Sequence, residues 1–197
     1  MIRLLPLIVV VLLSGPGAAI VGAEWTLAGL AGVAVHTRSG FVDLDATSGT
    51  SKGVIGVAGG FNRRWYSVEG EWLFAPGFFS AGNDPLVPSS SLATLSVNLI
   101  VRAPTPLVFK GVRPFVSVGG GVMRLRSEDA ANLFSIDENL AMGSVGAGVA
   151  VPIRKRLALS GEARFVRSRP RENATPFGSA YVDFWRVTSS LSFSIRR

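Results

Sequence analysis

The stretch Trp185-Arg-Val-Thr-Ser-Ser-Leu-Ser-Phe-Ser-Ile-Arg-Arg197 decides the fold. Trp185, Val187, Leu191, Phe193 and Ile195 share one parity, and Arg186, Thr188, Ser190, Ser192, Ser194 and Arg196 share the other. Only a strand separates two such sets, because successive side chains point to opposite faces. A strand with an oily face outward and a hydroxyl-bearing face inward is what a transmembrane β-barrel needs to close against its first strand.

Working outward, the other end of the chain reads as an export leader. Met1-Ile-Arg3 is short and positive, Leu4 to Leu13 is an almost unbroken apolar run, and Val21-Gly-Ala23 is a small-x-small cleavage site before Glu24. The expected organisation is a signal peptide over 1–23 and a barrel domain over 24–197. An uncleaved anchor is the alternative, but the apolar run is short for a helical span.

A chain of 197 residues accommodates one domain plus that leader. With no cysteine and one histidine, disulfides and thiolate metal sites are excluded, imidazole chemistry has one candidate, and no cofactor or metal is expected. The 23 glycines and the low charge content suit strands packed tightly beside lipid better than a soluble enzyme. The formal charge is +7, and since Arg3 is the leader's only charged residue it becomes +6 on cleavage. The basic residues are dispersed at strand ends with no aromatic platform between them, so no nucleic-acid partner is implied.

After the leader, no run approaches the ~20 apolar residues of a helical span, so a membrane-bound form must be a closed barrel. Strand patterns follow in order at Trp25–His36, Lys52–Phe61, Trp65–Phe74, Leu92–Arg102, Arg113–Met123, Ala141–Val151, Leu157–Phe165 and the closing stretch. In the third, Tyr66, Val68, Trp72 and Phe74 oppose Ser67, Glu69 and Glu71; in the fourth, Leu95, Val97, Leu99 and Val101 oppose Thr94, Ser96 and Asn98. The run Gly119-Gly-Gly121 suggests a bulge in the fifth. Short connections at 62–64 and 152–156 alternate with long loops at 37–51, 76–91, 126–139 and 167–180. The connection 103–112, on the short-turn end, carries two prolines and is longer than a minimal turn. The expectation is an all-β, antiparallel up-and-down transmembrane barrel of about eight strands, with short periplasmic turns and longer external loops.

The soluble rival is a lipocalin-like barrel, which turns its apolar parity to a ligand cavity and its other parity to water. That second face would then be rich in Lys, Glu and Asp, whereas here it is mostly Gly, Ala, Ser and Thr, suiting a narrow filled lumen. Arg63, Arg64, Arg102, Lys110, Arg113, Arg154, Lys155, Arg156, Arg196 and Arg197 all fall at the expected periplasmic end, with Glu24 the only acid there. Either they attract phospholipid head groups or the cell wall, or they are solvated strand ends.

The leader, the strand Arg113-Pro-Phe-Val-Ser-Val-Gly-Gly-Gly-Val122 and the closing Leu191-Ser-Phe-Ser-Ile195 together resemble the small outer-membrane β-barrel families of Gram-negative bacteria, of the OmpA/OmpX type. The resemblance implies a bacterial outer-membrane location, with outer-membrane lipids and the barrel-insertion machinery as partners. Such barrels often end on an aromatic residue, whereas this chain ends Phe193-Ser-Ile-Arg-Arg197.

For chemistry, the inward parity of Glu69, Glu71, Glu162, Arg164 and Arg186 places a charge network in the lumen, either a structural pairing or a functional site that gates a narrow water path or serves a proton relay. A last loop centred near residue 174 would set Glu162 opposite Arg186. Phe78, Phe79, Leu133 and Phe134 are candidate exposed tips of external loops. Some barrels that this one resembles modify lipid A with a His/Ser/acid set, but His36 reads as a loop residue with Ser39 nearby and no acid in relation to it. No catalytic residue is assigned. The readings that remain are a structural or surface-interaction barrel, a narrow transport channel, a lipid-modifying enzyme, and the soluble lipocalin-like barrel binding an apolar ligand.

Overall fold

A computed structural model describes residues 24–39, 51–63, 65–78, 89–104, 111–128, 136–169, 171–175 and 178–195. Alternating sequence becomes ten strands: β1 (Glu24–Ser39), β2 (Lys52–Asn62), β3 (Tyr66–Pro76), β4 (Ser89–Arg102), β5 (Arg113–Glu128), β6 (Ile136–Arg154), β7 (Leu157–Ser168), β8 (Arg171–Thr175), β9 (Gly178–Ala180) and β10 (Val182–Ile195). Eight of them close into one antiparallel barrel in the order β1-β10-β7-β6-β5-β4-β3-β2, while β8 and β9 pair only with each other. The seam joins the first and last strands in continuous register from Trp25↔Ile195 to His36↔Phe184.

Several strands outrun their expected ends. β1 continues past His36, where the first strand pattern ended, to Ser39, so the histidine stands in that strand and not in a loop as the weighing of a His/Ser/acid set took it, while its side chain lies outside the described residues. β5 extends to Glu128 and β6 begins at Ile136, which shortens the charged loop expected at 126–139. The cause is common to all of them. Backbone ladders continue past the lipid belt into water, where side-chain alternation no longer marks them. No bulge interrupts Gly119–Gly121, since β5 keeps one register against both β4 and β6. Register shifts occur instead at Pro152/Arg154 and at His36/Arg38.

The two faces sort as the alternation requires. Leu27, Val57, Trp72, Leu95, Val118, Val145, Leu159 and Val187, one from each barrel strand, lie outside and are exposed, Leu27 by 60 %. An apolar belt that encircles the whole molecule has no counterpart on a water-soluble monomer. It is the surface that hydrocarbon wets. Aromatic rings border it on both sides: Trp25 meets Phe61 edge-on at 5.8 Å near Trp65 and Tyr66 at the turn end, and Trp72 with Phe74 and Phe165 with Trp185 mark the loop end.

Candidate functional site in the barrel lumen

The inward face has three layers. At the loop end it is oily: Val54, Leu73, Ala75, Leu92, Met123, Leu125, Leu140, Val166, Val182 and Phe184 are buried together. Phe78 joins them, 4 % exposed with its ring edge-on to Phe184 at 5.3 Å. That corrects the expectation of an exposed loop tip at Phe78. Just past β3 the chain turns through Gly77 at φ 62, and an aromatic side chain placed there covers the oily layer instead of facing water. Phe79, Leu133 and Phe134 lie outside the described residues.

Beneath the oily layer sits the charge network. Arg186 of β10 reaches Glu71 of β3 with Nη1–Oε1 at 2.6 Å and donates Nη2–H to Oε2 at 2.8 Å. The 2.6 Å contact is a charge contact off the hydrogen-bond line, which leaves Glu71 Oε1 without a well-directed donor. Arg164 of β7 lies 3.5 Å from Glu71 Oε2, donates from Nη2 to both oxygens of Glu162 at 2.8 Å, and donates from Nη1 to Asn98 Oδ1 at 2.8 Å. Ser117 donates to Glu162, and Asn98 Nδ2 donates to Ser96 Oγ at 3.3 Å. Two guanidiniums and two carboxylates thus close on one another. Burying them is tolerable because each charge has an opposite partner, and Arg164 and Glu162 have further polar contacts, while Glu71 Oε1 and Arg186 Nε are left without a hydrogen bond.

Glycine makes the room. Gly119 faces inward opposite Asn98, and a methyl group there would strike the amide that accepts from Arg164. At Gly146 a Cβ would come within 2.8 Å of Ser117 Oγ and 2.9 Å of Glu162 Oε1. Small residues therefore sit where a network carried on long side chains must fit a narrow cylinder.

The register differs from the expected one by two residues on one strand. Arg186 stands opposite Arg164, and Glu162 opposite Thr188, so the connection is centred one residue later than expected. Parity survives, and all of these side chains face the lumen. Glu69 stands apart from the other four, 3.9 Å from Arg102 and hydrogen-bonded by Ser67 at 3.4 Å. Arg102 also donates to Asn62 Oδ1 at 3.0 Å, and Asn62 Nδ2 donates to Thr26 Oγ1 at 3.1 Å.

The third layer is polar and open. Below the network a cavity of about 570 Å³ opens at the turn end, walled by Thr26, Ser160, Ser190, Ser192 and Ser194 and ringed by basic residues. The lumen is a cup, with its stopper at the loop end. The stopper is absent from the expectations above although its signal in the sequence is plain: Leu73 and Ala75 continue the parity of Glu69 and Glu71, and Val182 and Phe184 continue that of Arg186.

Outside the belt, beyond Val122, Arg124 donates from Nε and Nη2 to Asp137 at 2.9 and 2.7 Å. This hydrogen bond, with the charges of Arg124 and Arg126, holds the Asp137 carboxyl below its ordinary value. Among the described residues no cluster of His, Asp and Glu has the makings of a metal site.

No family model matches the sequence, and no curated protein matches it. Solved structures do. Neisserial surface protein A superposes with a TM-score of 0.63 at 12 % identity, over 88 % of this chain and 99 % of that one. A major outer membrane protein from Thermus thermophilus gives 0.53 at 14 % identity over 88 % and 99 %. Outer membrane protein H of P. aeruginosa gives 0.53 at 13 % identity over 87 % and 99 %. At such identities the likeness speaks for architecture, and the architecture is that of the small, eight-stranded outer-membrane β-barrel.

Proposed function

We propose that this chain is an integral outer-membrane barrel, exported by the leader 1–23 and matured as residues 24–197, that acts as a structural or surface-interaction protein through its external loops and does not conduct. The carrying observation is the layered lumen. An oily stopper and a paired charge network lie in series across the described bore, which leaves the cavity open at one end only. A barrel sealed in this way offers partners its outside.

The belt supports outer-membrane lipids as its surroundings, and assembly of such a surface from the periplasm calls for the barrel-insertion machinery. Phe79, Leu133 and Phe134 remain the apolar loop residues proposed to meet a partner. The network's carboxylates and guanidiniums engage one another, which favours a structural role for Glu69, Glu71, Glu162, Arg164 and Arg186 over a proton relay or general acid–base work.

Planar-bilayer recording on the purified chain tests the reading. The expected result is no conductance above that of the bare membrane. Reproducible unitary steps would refute the sealed lumen. Heat-modifiable gel mobility in the outer-membrane fraction is the expected signature of the location, and recovery in a detergent-free soluble fraction would overturn it.

A further inference from the structure

The cup is basic at its mouth. Arg63 follows β2, Arg102 ends β4, Arg113 begins β5, and Arg154, Lys155 and Arg156 make the β6–β7 turn; all six line the 570 Å³ cavity. The only carboxylate at the mouth among the described residues is Glu24, which accepts from Ser194 Oγ at 3.2 Å. Of the deeper acids, Glu71 and Glu162 are taken by Arg186 and Arg164, and Glu69 offsets one member of the ring, Arg102, so five cations remain against the single Glu24.

Cations held on three separate strand connections around one opening repel one another, and the low-dielectric wall concentrates their field in the bore. A multivalent anion relieves that repulsion at several points at once. Guanidinium forks match phosphate oxygens in pairs, and the cavity is of the size that binds small molecules. We propose that the mouth of the cup is a binding site for phosphate-bearing anions. The phosphate comes either from a soluble oligophosphate ester that enters the cavity or from head groups of the adjoining leaflet. The proposal rests on the membrane-barrel reading, since only there does the mouth border a leaflet.

The test uses the full mature chain folded in phosphatidylcholine nanodiscs and titrated with tripolyphosphate by calorimetry, with heat-modifiable mobility scoring the fold separately. Saturable binding is expected, weakened tenfold or more in Arg154→Gln/Lys155→Gln/Arg156→Gln and unchanged in Arg124→Gln/Arg126→Gln at the opposite end. Arg63→Gln/Arg113→Gln, on other connections, supplies the same comparison should the triple variant misassemble. A second arm adds phosphatidylglycerol and measures co-purifying lipid by native mass spectrometry. Mouth-dependent tripolyphosphate binding identifies the soluble source. Mouth-dependent lipid enrichment without it identifies head groups. A folded barrel that shows neither, or that loses binding equally in the opposite-end variant, overturns the proposal and leaves the membrane reading intact.

Discussion

Arg186 of β10 and Arg164 of β7 face each other directly across one strand pair, and Glu71 from β3 is what allows two guanidiniums to stand there. Side by side and buried, they would repel in a medium where charge is poorly screened. Glu71 contacts both, and Glu162 takes the second pair of lone contacts on Arg164.

Breaking one member strands the others. Glu71→Leu or Arg186→Met alone is expected to cost about 3–5 kcal/mol in urea unfolding from lipid vesicles, and the double variant clearly less than the sum. Additive losses would show that the pair is not coupled.

A charge on the lipid face reports what that face meets. Val118 is 56 % exposed at the middle of the belt, so Val118→Arg is expected to cost roughly 2–4 kcal/mol in the same assay. A soluble barrel would accept the change with little effect, so an unaltered unfolding midpoint would refute the lipid belt.

Glycines on the two faces respond oppositely. A Cβ at Gly121 would collide with the Leu95 carbonyl, whereas at Gly143 nothing lies within 4 Å. Gly121→Ala is therefore expected to cost roughly 1–3 kcal/mol, as overpacking does. Gly143→Ala should be neutral or stabilising by a few tenths, about what reduced freedom of the unfolded chain supplies. Equal effects would mean that inward crowding is not why glycine is used.

Asp137 offers a pH test outside the membrane. Its depressed pKa means that the Arg124 contact adds stability above the ordinary value of 3.8, and that this is lost as pH falls through the lower folded value. Carboxyl NMR should place the midpoint below 3.8 and Arg124→Gln should raise it. A midpoint that does not move would show that the contact does not persist in solution.

Parity carries most of the architecture into the sequence. Eight barrel strands, their facing and the lumen residues follow from alternation, because lipid outside and a narrow bore inside punish any other arrangement. What parity does not hold is displacement along a strand. Glu162 meets Thr188 instead of Arg186 because connection geometry, not side-chain pattern, sets the offset. Phe78 escapes for a related reason: a loop aromatic looks the same in sequence whether it faces water or folds back over Phe184.

The seam between β1 and β10 pairs Trp25 with Ile195, residues from opposite ends of the sheet's path along the chain. Every other barrel contact joins strands consecutive along the barrel's path, but this one spans the whole domain and carries the largest loop-closure cost. Until it forms, two rows of unsatisfied amides and carbonyls confront an interior with no water to receive them. Losing the last few residues of β10 would thus do more harm than losing a whole outer connection, since it leaves the cylinder permanently unzipped.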